Sequence, residues 1–264
     1  METQDFKNTV QRLRDLTDRV VIVTGGGQGI GRVYTKGLAV AGAIPVIVDL
    51  DGDKAASVAK EVQALGGKAI SIQADVSRPE SVSAMTEKTL KILGRIDGIV
   101  NNAAIFSTLK MRPFEEIPLD EWQRVINVNI TGVMLCCKAV MPAMKAAGFG
   151  RIINISSSAI TLGRPDYLHY TTSKAGIVGL TRSMAREVGQ HGITVNAILP
   201  GATFTEIPRE TVTPAQKQGL IAMQCIKRPQ AAEDLLGTIL FLASDAAAFL
   251  TGQSIAVDGG ATHL

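Results

Sequence analysis

The stretch Val20-Val21-Ile22-Val23-Thr24-Gly25-Gly26-Gly27-Gln28-Gly29-Ile30-Gly31 decides the fold. Four consecutive β-branched residues predict a strand covered on both faces, the habit of parallel sheets. The glycines that follow permit a tight turn with positive φ and close approach of a ligand to the backbone. A helix entered from such a turn offers unpaired N–H groups and the positive end of its dipole, and together these cradle phosphate. The spacing is Thr-Gly-x-x-x-Gly-x-Gly. It is not Gly-x-Gly-x-x-Gly, because position 32 is Arg32, and it is not a P-loop, because no Lys-Ser/Thr follows.

The same rhythm continues outward from this turn. Short apolar, β-branched runs at 20–23, 43–48, 69–73, 96–100, 151–155, 193–199 and 254–257 alternate with stretches long enough for crossover helices. Strand–helix alternation of this kind predicts an α/β fold. The expected architecture is a single doubly wound Rossmann-type domain, with a seven-stranded parallel sheet and helices on both faces. It spans 18–264 with no internal boundary. The second strand ends at Asp49. An acidic residue about 20 positions beyond the glycines is placed to hold ribose hydroxyls. It would repel a 2′-phosphate by a few kcal/mol at an effective dielectric of about 20. Gln28 supplies no cation for such a phosphate. Both residues favour NAD over NADP.

Composition narrows the functional classes. The chain has 264 residues, 46% hydrophobic and 19% charged, with a net charge of +3. Lys and Arg are scattered, which argues against nucleic acid as a partner. The three cysteines, Cys136, Cys137 and Cys225, have no ligand or Cys-x-x-Cys spacing and read as buried thiols of a reducing compartment. His169, His191 and His263 form no metal pattern, so no metal is expected. The N-terminus lacks the apolar core of a signal peptide, and no apolar run looks long enough to span a membrane. A cytoplasmic location without membrane contact is expected.

Two segments fall outside the rhythm. Residues 1–17 form an extension in which Phe6, Val10 and Leu13 have helical spacing over 4–16. Residues 202–230 contain Pro208, Pro214 and Pro229, and read as a long irregular insertion of the kind that forms substrate lids.

Tyr170 and Lys174 lie four residues apart, which places them on one face of a helix. An ammonium beside a phenol lowers its pKa, turning a poor base into a usable one. Ser157 lies thirteen residues before Tyr170. Tyr167 is a weaker candidate, because Thr171 and not lysine stands four residues after it.

Together these motifs closely resemble the classical short-chain dehydrogenase/reductase family, over about residues 18–262. Asp75-Val76 matches the family's adenine contact. Asn101-Asn102-Ala103-Ala104 matches its Asn-Asn-Ala-Gly, with Ala104 in place of glycine. Asn129 matches its catalytic asparagine, Asn154-Ile155-Ser156-Ser157 its serine motif, and Pro200-Gly201 with Thr205 its nicotinamide-holding segment. Val257-Asp258-Gly259-Gly260 matches its C-terminal ending.

The resemblance implies a catalytic set of Asn129, Ser157, Tyr170 and Lys174. It implies cofactor contacts at Gly25, Gln28, Gly29, Ile30, Asp49, Asp75, Val76, Asn102, Ala103, Ala104, Tyr170, Lys174, Pro200, Gly201, Thr203 and Thr205. The second serine of the motif is the family's catalytic one, which selects Ser157. Ser156 and Ser158 are expected to point away from it. The implied activity is interconversion of a secondary alcohol and a ketone with NAD, with Tyr170 as general acid/base. The pocket walls are expected from Ile105, Phe106, residues 158–160, Tyr167 and the 202–230 insertion. Apolar walls point to a neutral small-molecule substrate, with Arg164 and Arg209 the candidates should it carry a carboxylate. The alternative is a ketoacyl-thioester reductase acting on carrier-protein or coenzyme A substrates. A homotetramer is implied, with helices near 120–147 and 173–190 at one interface.

Overall fold

The computed structural model describes residues 15–208 and 214–263. The expectations for the extension over 1–14 and for Arg209 lie outside the described residues. Seven parallel strands form one sheet: β1 (Val20–Thr24), β2 (Ile44–Asp49), β3 (Ile70–Gln73), β4 (Gly98–Asn101), β5 (Gly150–Ile155), β6 (Ile193–Pro200) and, after the short β7 (Thr203–Phe204) and β8 (Gln230–Ala231), β9 (Ser254–Val257). Their order is β3-β2-β1-β4-β5-β6-β9. The order reverses between β1 and β4, and crevices outside the carboxyl ends of strands at such a reversal are where open α/β sheets bind ligands.

The helices are α1 (Gly29–Val40), α2 (Gly52–Ala64), α3 (Pro79–Leu93), α4 (Leu119–Ile126), α5 (Gly132–Ala147), α6 (Ala159–Leu162), α7 (Leu168–Val188), α8 (Pro214–Met223) and α9 (Leu236–Ala243). Side chains alternate along each strand, so β1 serves two cores. Val20 and Ile22 pack with Val82 and Met85 of α3, Val140 and Met144 of α5, and Ile177 of α7. Val21 and Val23 pack with Tyr34 and Leu38 of α1 and with Ile239 of α9. Leu16 is buried in this second core. None of the four β1 side chains is more than 2% exposed, and each contributes roughly 1.5–3 kcal/mol by burial.

Three expectations are corrected. The 202–230 segment is not irregular throughout. It carries α8 and the paired strands β7 and β8, because Ala215-Gln216-Lys217-Gln218 supplies strong helix formers after a proline suited to a first helical position. Cys136 and Cys137 are buried, as expected, but Cys225 is exposed. Burial pushes the Cys137 thiol up to about 12 and raises that of Cys136 as well, which keeps both protonated.

The third correction concerns Leu119–Ala147. This is one continuous helical stretch of 29 residues, long and apolar enough to cross a membrane by length and composition. Its apolar character has a local cause. Val133, Cys136, Val140 and Met144 face the sheet, and Val125 faces the pocket cluster.

Candidate active site

Parallel register lines up the strand ends that build the site. Thr24 of β1 is level with Asn101 of β4, which is level with Asn154 of β5. Below the site, Asn101 Nδ2 donates to Asn154 Oδ1 at 2.8 Å, and Asn154 Nδ2 donates to Thr181 Oγ1 of α7 at 2.9 Å. These two buried bonds link β4, β5 and α7 to one another, while Asn101 Oδ1 has no donor among the described residues.

The glycine turn leaves β1 with Gly25 at φ 62° and enters α1 with Gly29 at φ 57°. A Cβ on Gly31 would overlap the Gly25 carbonyl oxygen. Asn102 holds the turn from the neighbouring strand end, its Nδ2 donating to Thr24 O at 3.1 Å and to Gly25 O at 3.0 Å. The amides of Asn102 and Ala103 both donate to Thr24 Oγ1 at 3.1 Å. At the head of α1, Gly29 N donates to Glu206 Oε1 at 2.9 Å.

A cavity of about 980 Å³ runs along this edge, lined among others by Gly25, Gln28, Ile30, Asp49, Asp75, Val76, Asn102, Ala103, Ala104 and Thr205. Asp49 Oδ2 accepts from Gly27 N at 2.9 Å and Oδ1 from Asp51 N at 3.1 Å, so its carboxylate is fixed before any ligand arrives. Burial alone would raise the Asp75 pKa. Hydrogen bonds from Ser77 and the charge of Arg78 outweigh it and hold Asp75 below its ordinary value. Lys54 Nζ donates to Gln28 Oε1 at 2.8 Å. This cation lines the same cavity as Asp49, a feature that Gln28 read alone in the sequence does not convey.

A second cavity of about 590 Å³ adjoins the first, sharing Ile30, Asn102, Ala104 and Phe106 with it. Ser157, Tyr170, Lys174, Pro200, Gly201 and Thr203 line it. Tyr170 and Lys174 share the buried face of α7, with Lys174 Nζ 5.8 Å from the Tyr170 ring centroid. Lys174 Nζ donates to Ile155 O at 2.7 Å, and burial lowers its pKa to about 8.

The three serines differ in how their hydroxyls are used. Ser156 Oγ donates to Lys174 O at 2.7 Å and Ser158 Oγ to Pro200 O at 3.1 Å. Ser157 Oγ accepts from Ala159 N at 3.1 Å and donates to no described residue. β5 ends at Ile155, so strand alternation does not separate them, and these bonds do. Asn129 sits in a π-turn, Asn127–Thr131, between α4 and α5, and is fully buried. Its side chain accepts from Ile105 N at 2.8 Å and donates to Ile105 O at 3.2 Å and to Ser173 Oγ at 3.0 Å.

Phe106, Ser158 and Ala159 line this second cavity as expected, and Met111, Leu162, Arg164, Pro165, Leu220 and Met223 join them. Ile105 lines the larger cavity instead. Tyr167 is 2% exposed and packs behind the wall, its ring 5.7 Å from that of Phe106.

A family model described as enoyl-(acyl carrier protein) reductase matches residues 25–262. Over 248 residues the chain is 40% identical to a protein of Rhizobium meliloti named probable galactose dehydrogenase, covering 93% of this chain and 96% of that one. It is 40% identical, again over 248 residues, to a 3-oxoacyl-[acyl-carrier-protein] reductase of Synechocystis, with 93% and 97% covered. A crystal structure of a short-chain type dehydrogenase/reductase from Mycobacterium marinum superposes with a TM-score of 0.89 at 35% identity, covering 97% of this chain and 100% of that one. The chain belongs to the short-chain dehydrogenase/reductase family.

The residues of this short-chain dehydrogenase/reductase fit the nicotinamide dinucleotide that its family uses. The turn has no Cβ where a phosphate would approach, Asp49 offers two fixed carboxylate oxygens, and Lys174 engages only one acceptor among the described residues although it carries three donors. A buried cluster went unread in the sequence. His169 Nε2 lies 3.3 Å from Glu121 Oε1, and Arg112 Nη2 lies 3.7 Å from Glu121 Oε2. It joins α4, α7 and the loop after β4. Only Arg112, from a loop of unpredictable course, and Glu121, from a helix face, could have signalled it.

Proposed function

We propose that this enzyme interconverts a secondary alcohol and a ketone using NAD, with Tyr170 as general acid/base. One arrangement carries the reading: Tyr170 and Lys174 stand side by side in a cavity where Ser157, alone among three serines, donates its hydroxyl proton to none of the described residues. A cation beside a phenol favours its ionised form. Tyr170 takes the proton from the substrate hydroxyl in oxidation and returns it in reduction. Ser157 donates to the substrate oxygen as its charge develops. The bound dinucleotide supplies hydride acceptance and donation. Lys174 keeps two donors for ribose hydroxyls. Because the Asn129 side chain is already engaged, a relay water at that residue would have to use its main-chain carbonyl.

NAD is the proposed cofactor, because Asp49 sets a charge where a 2′-phosphate would lie. The segment 202–230 is proposed as the substrate lid, since Leu220 and Met223 of α8 line the smaller cavity. A homotetramer is also proposed, testable by sedimentation equilibrium. A second reading, reduction of a ketoacyl thioester with NADPH, is favoured by Lys54 beside Gln28 and by the name of the Synechocystis relative. Turnover of both substrate types with both cofactors separates the two. For the primary reading, Tyr170→Phe is expected to bind NADH with wild-type affinity by fluorescence titration while losing at least about 1,000-fold in kcat. Near-normal turnover would sink the assignment.

A further inference from the structure

The smaller cavity is charged in one sense only. Among the described residues it is lined by two cations, Lys174 and Arg164, and by no carboxylate. Lys174 is buried against Ile155 O at the reacting end. Arg164 is different. Its guanidinium carbon lies 4.5 Å from the Tyr167 ring centroid and 5.9 Å from that of Phe106. Stacking occupies the faces of a guanidinium and leaves its N–H edge open, and that edge matches a carboxylate bidentately. No described residue accepts a hydrogen bond from the Arg164 side chain or pairs with it.

The backbone holds this arginine in place. Gly163, at φ 61°, ends α6, and Asp166 adopts φ 63°, a conformation uncommon outside glycine and found where the surroundings fix it. Pro165 lies between Arg164 and Asp166, and Asp166 O accepts from Arg112 N at 3.2 Å. A costly corner is thus kept where, among the described residues, a cation without an acidic partner faces an apolar cavity. Two ring contacts link it to the reacting end: Arg164 lies 5.9 Å from the Phe106 centroid, which lies 4.4 Å from that of Tyr170. That span suits a six-membered ring with substituents at opposite ends. The remaining walls, Met111, Ala159, Leu162, Leu220 and Met223, offer such a ring apolar contact.

We propose that the substrate is a secondary alcohol or ketone on an apolar ring that carries a carboxylate away from the reacting carbon, anchored by Arg164. The inference rests on the hydride-transfer reading and replaces the neutral substrate expected from the sequence. One guanidinium with no second cation beside it among the described residues suits a monoanionic carboxylate better than a phosphate.

The test uses the NAD⁺-saturated protein and three probes: 1-phenylethanol, 4-(1-hydroxyethyl)benzoate and the non-oxidisable 4-ethylbenzoate. Wild type is expected to favour the carboxylated alcohol over 1-phenylethanol at least tenfold in kcat/KM. Arg164→Gln should lower that ratio at least tenfold, mainly through KM, and Arg164→Lys should restore part of it. By calorimetry, 4-ethylbenzoate should bind wild type and lose at least tenfold in affinity in Arg164→Gln, whose fold is checked by circular dichroism. A wild-type ratio near one, or 4-ethylbenzoate binding that is absent or indifferent to Arg164, overturns the proposal without need of the variant's turnover. If 4-ethylbenzoate binds through Arg164 but neither alcohol is oxidised, the hydride-transfer reading fails and the anchor stands.

Discussion

Lys174 Nζ donates to the main-chain carbonyl of Ile155 at 2.7 Å, tying the N-terminal third of α7 to the last residue of β5. The ammonium is 4% exposed. A buried cation bound to one neutral acceptor is costly, and its pKa of about 8, against an ordinary 10.5, states the cost.

That shift corresponds to about 3 kcal/mol at pH 7. Lys174→Met removes the desolvated charge and loses one hydrogen bond worth about 1 kcal/mol, so the variant is expected to be more stable by about 2 kcal/mol while losing activity. The sign in pH follows from linkage. The penalty is complete below about 8 and fades as wild-type Lys174 deprotonates towards 10.5, so the stability gap closes over that window. Urea unfolding at pH 7 and pH 10 checks it.

The three serines separate in mutagenesis. Ser157→Ala is expected to reduce kcat by roughly 100- to 1,000-fold, the usual loss for one donor to a developing oxyanion. Ser156→Ala leaves the Lys174 carbonyl without its 2.7 Å donor. Its expected signature is a stability loss of about 1 kcal/mol with kcat changed only a few-fold. Steady-state kinetics beside thermal melts distinguishes the two patterns.

The proposed preference for NAD puts cofactor choice on Asp49. Asp49→Asn keeps an acceptor for Gly27 N and removes the charge. A repulsion of about 2–3 kcal/mol relieved there predicts a rise of about 30- to 150-fold in the NADPH/NADH ratio of kcat/KM. Lys54 stands ready to meet the 2′-phosphate, so adding Lys54→Met should remove part of that gain.

Gly31→Ala tests the turn itself. The new methyl would overlap Gly25 O and come within 2.6 Å of Asn102 Nδ2. The expected cost is about 1–3 kcal/mol in stability, with NADH affinity lowered at least tenfold, read by melting and fluorescence titration.

Much of this was legible in the chain because the physics was local. β-branched runs define strands by their own burial, and positions 254–257 read from the sequence are β9 as observed. Glycine spacing and the Tyr170–Lys174 interval are local geometry as well. Arg164, Lys54 and the burial of Tyr167 depend on which distant element lies opposite, which no local pattern records. The α8 helix was missed because three prolines dominate the reading of its segment. The Leu119–Ala147 helix was misjudged because scattered charges on its outer face hide an apolar inner one. What distinguishes Ser157 from Ser156 and Ser158 is that the neighbours' hydroxyls donate to Lys174 O and Pro200 O, acceptors remote in sequence.

The Glu206 carboxylate already accepts from Gly29 N at the head of α1, and the Ile207 side chain lies against the same glycine. A phosphate arriving there meets an incumbent anion. Occupation is then a substitution, and the measured affinity is the difference between two ligands of one donor. It follows that neutralising Glu206 would tighten dinucleotide binding, and that residues 205–207, at the start of the proposed lid, must shift whenever the exchange takes place.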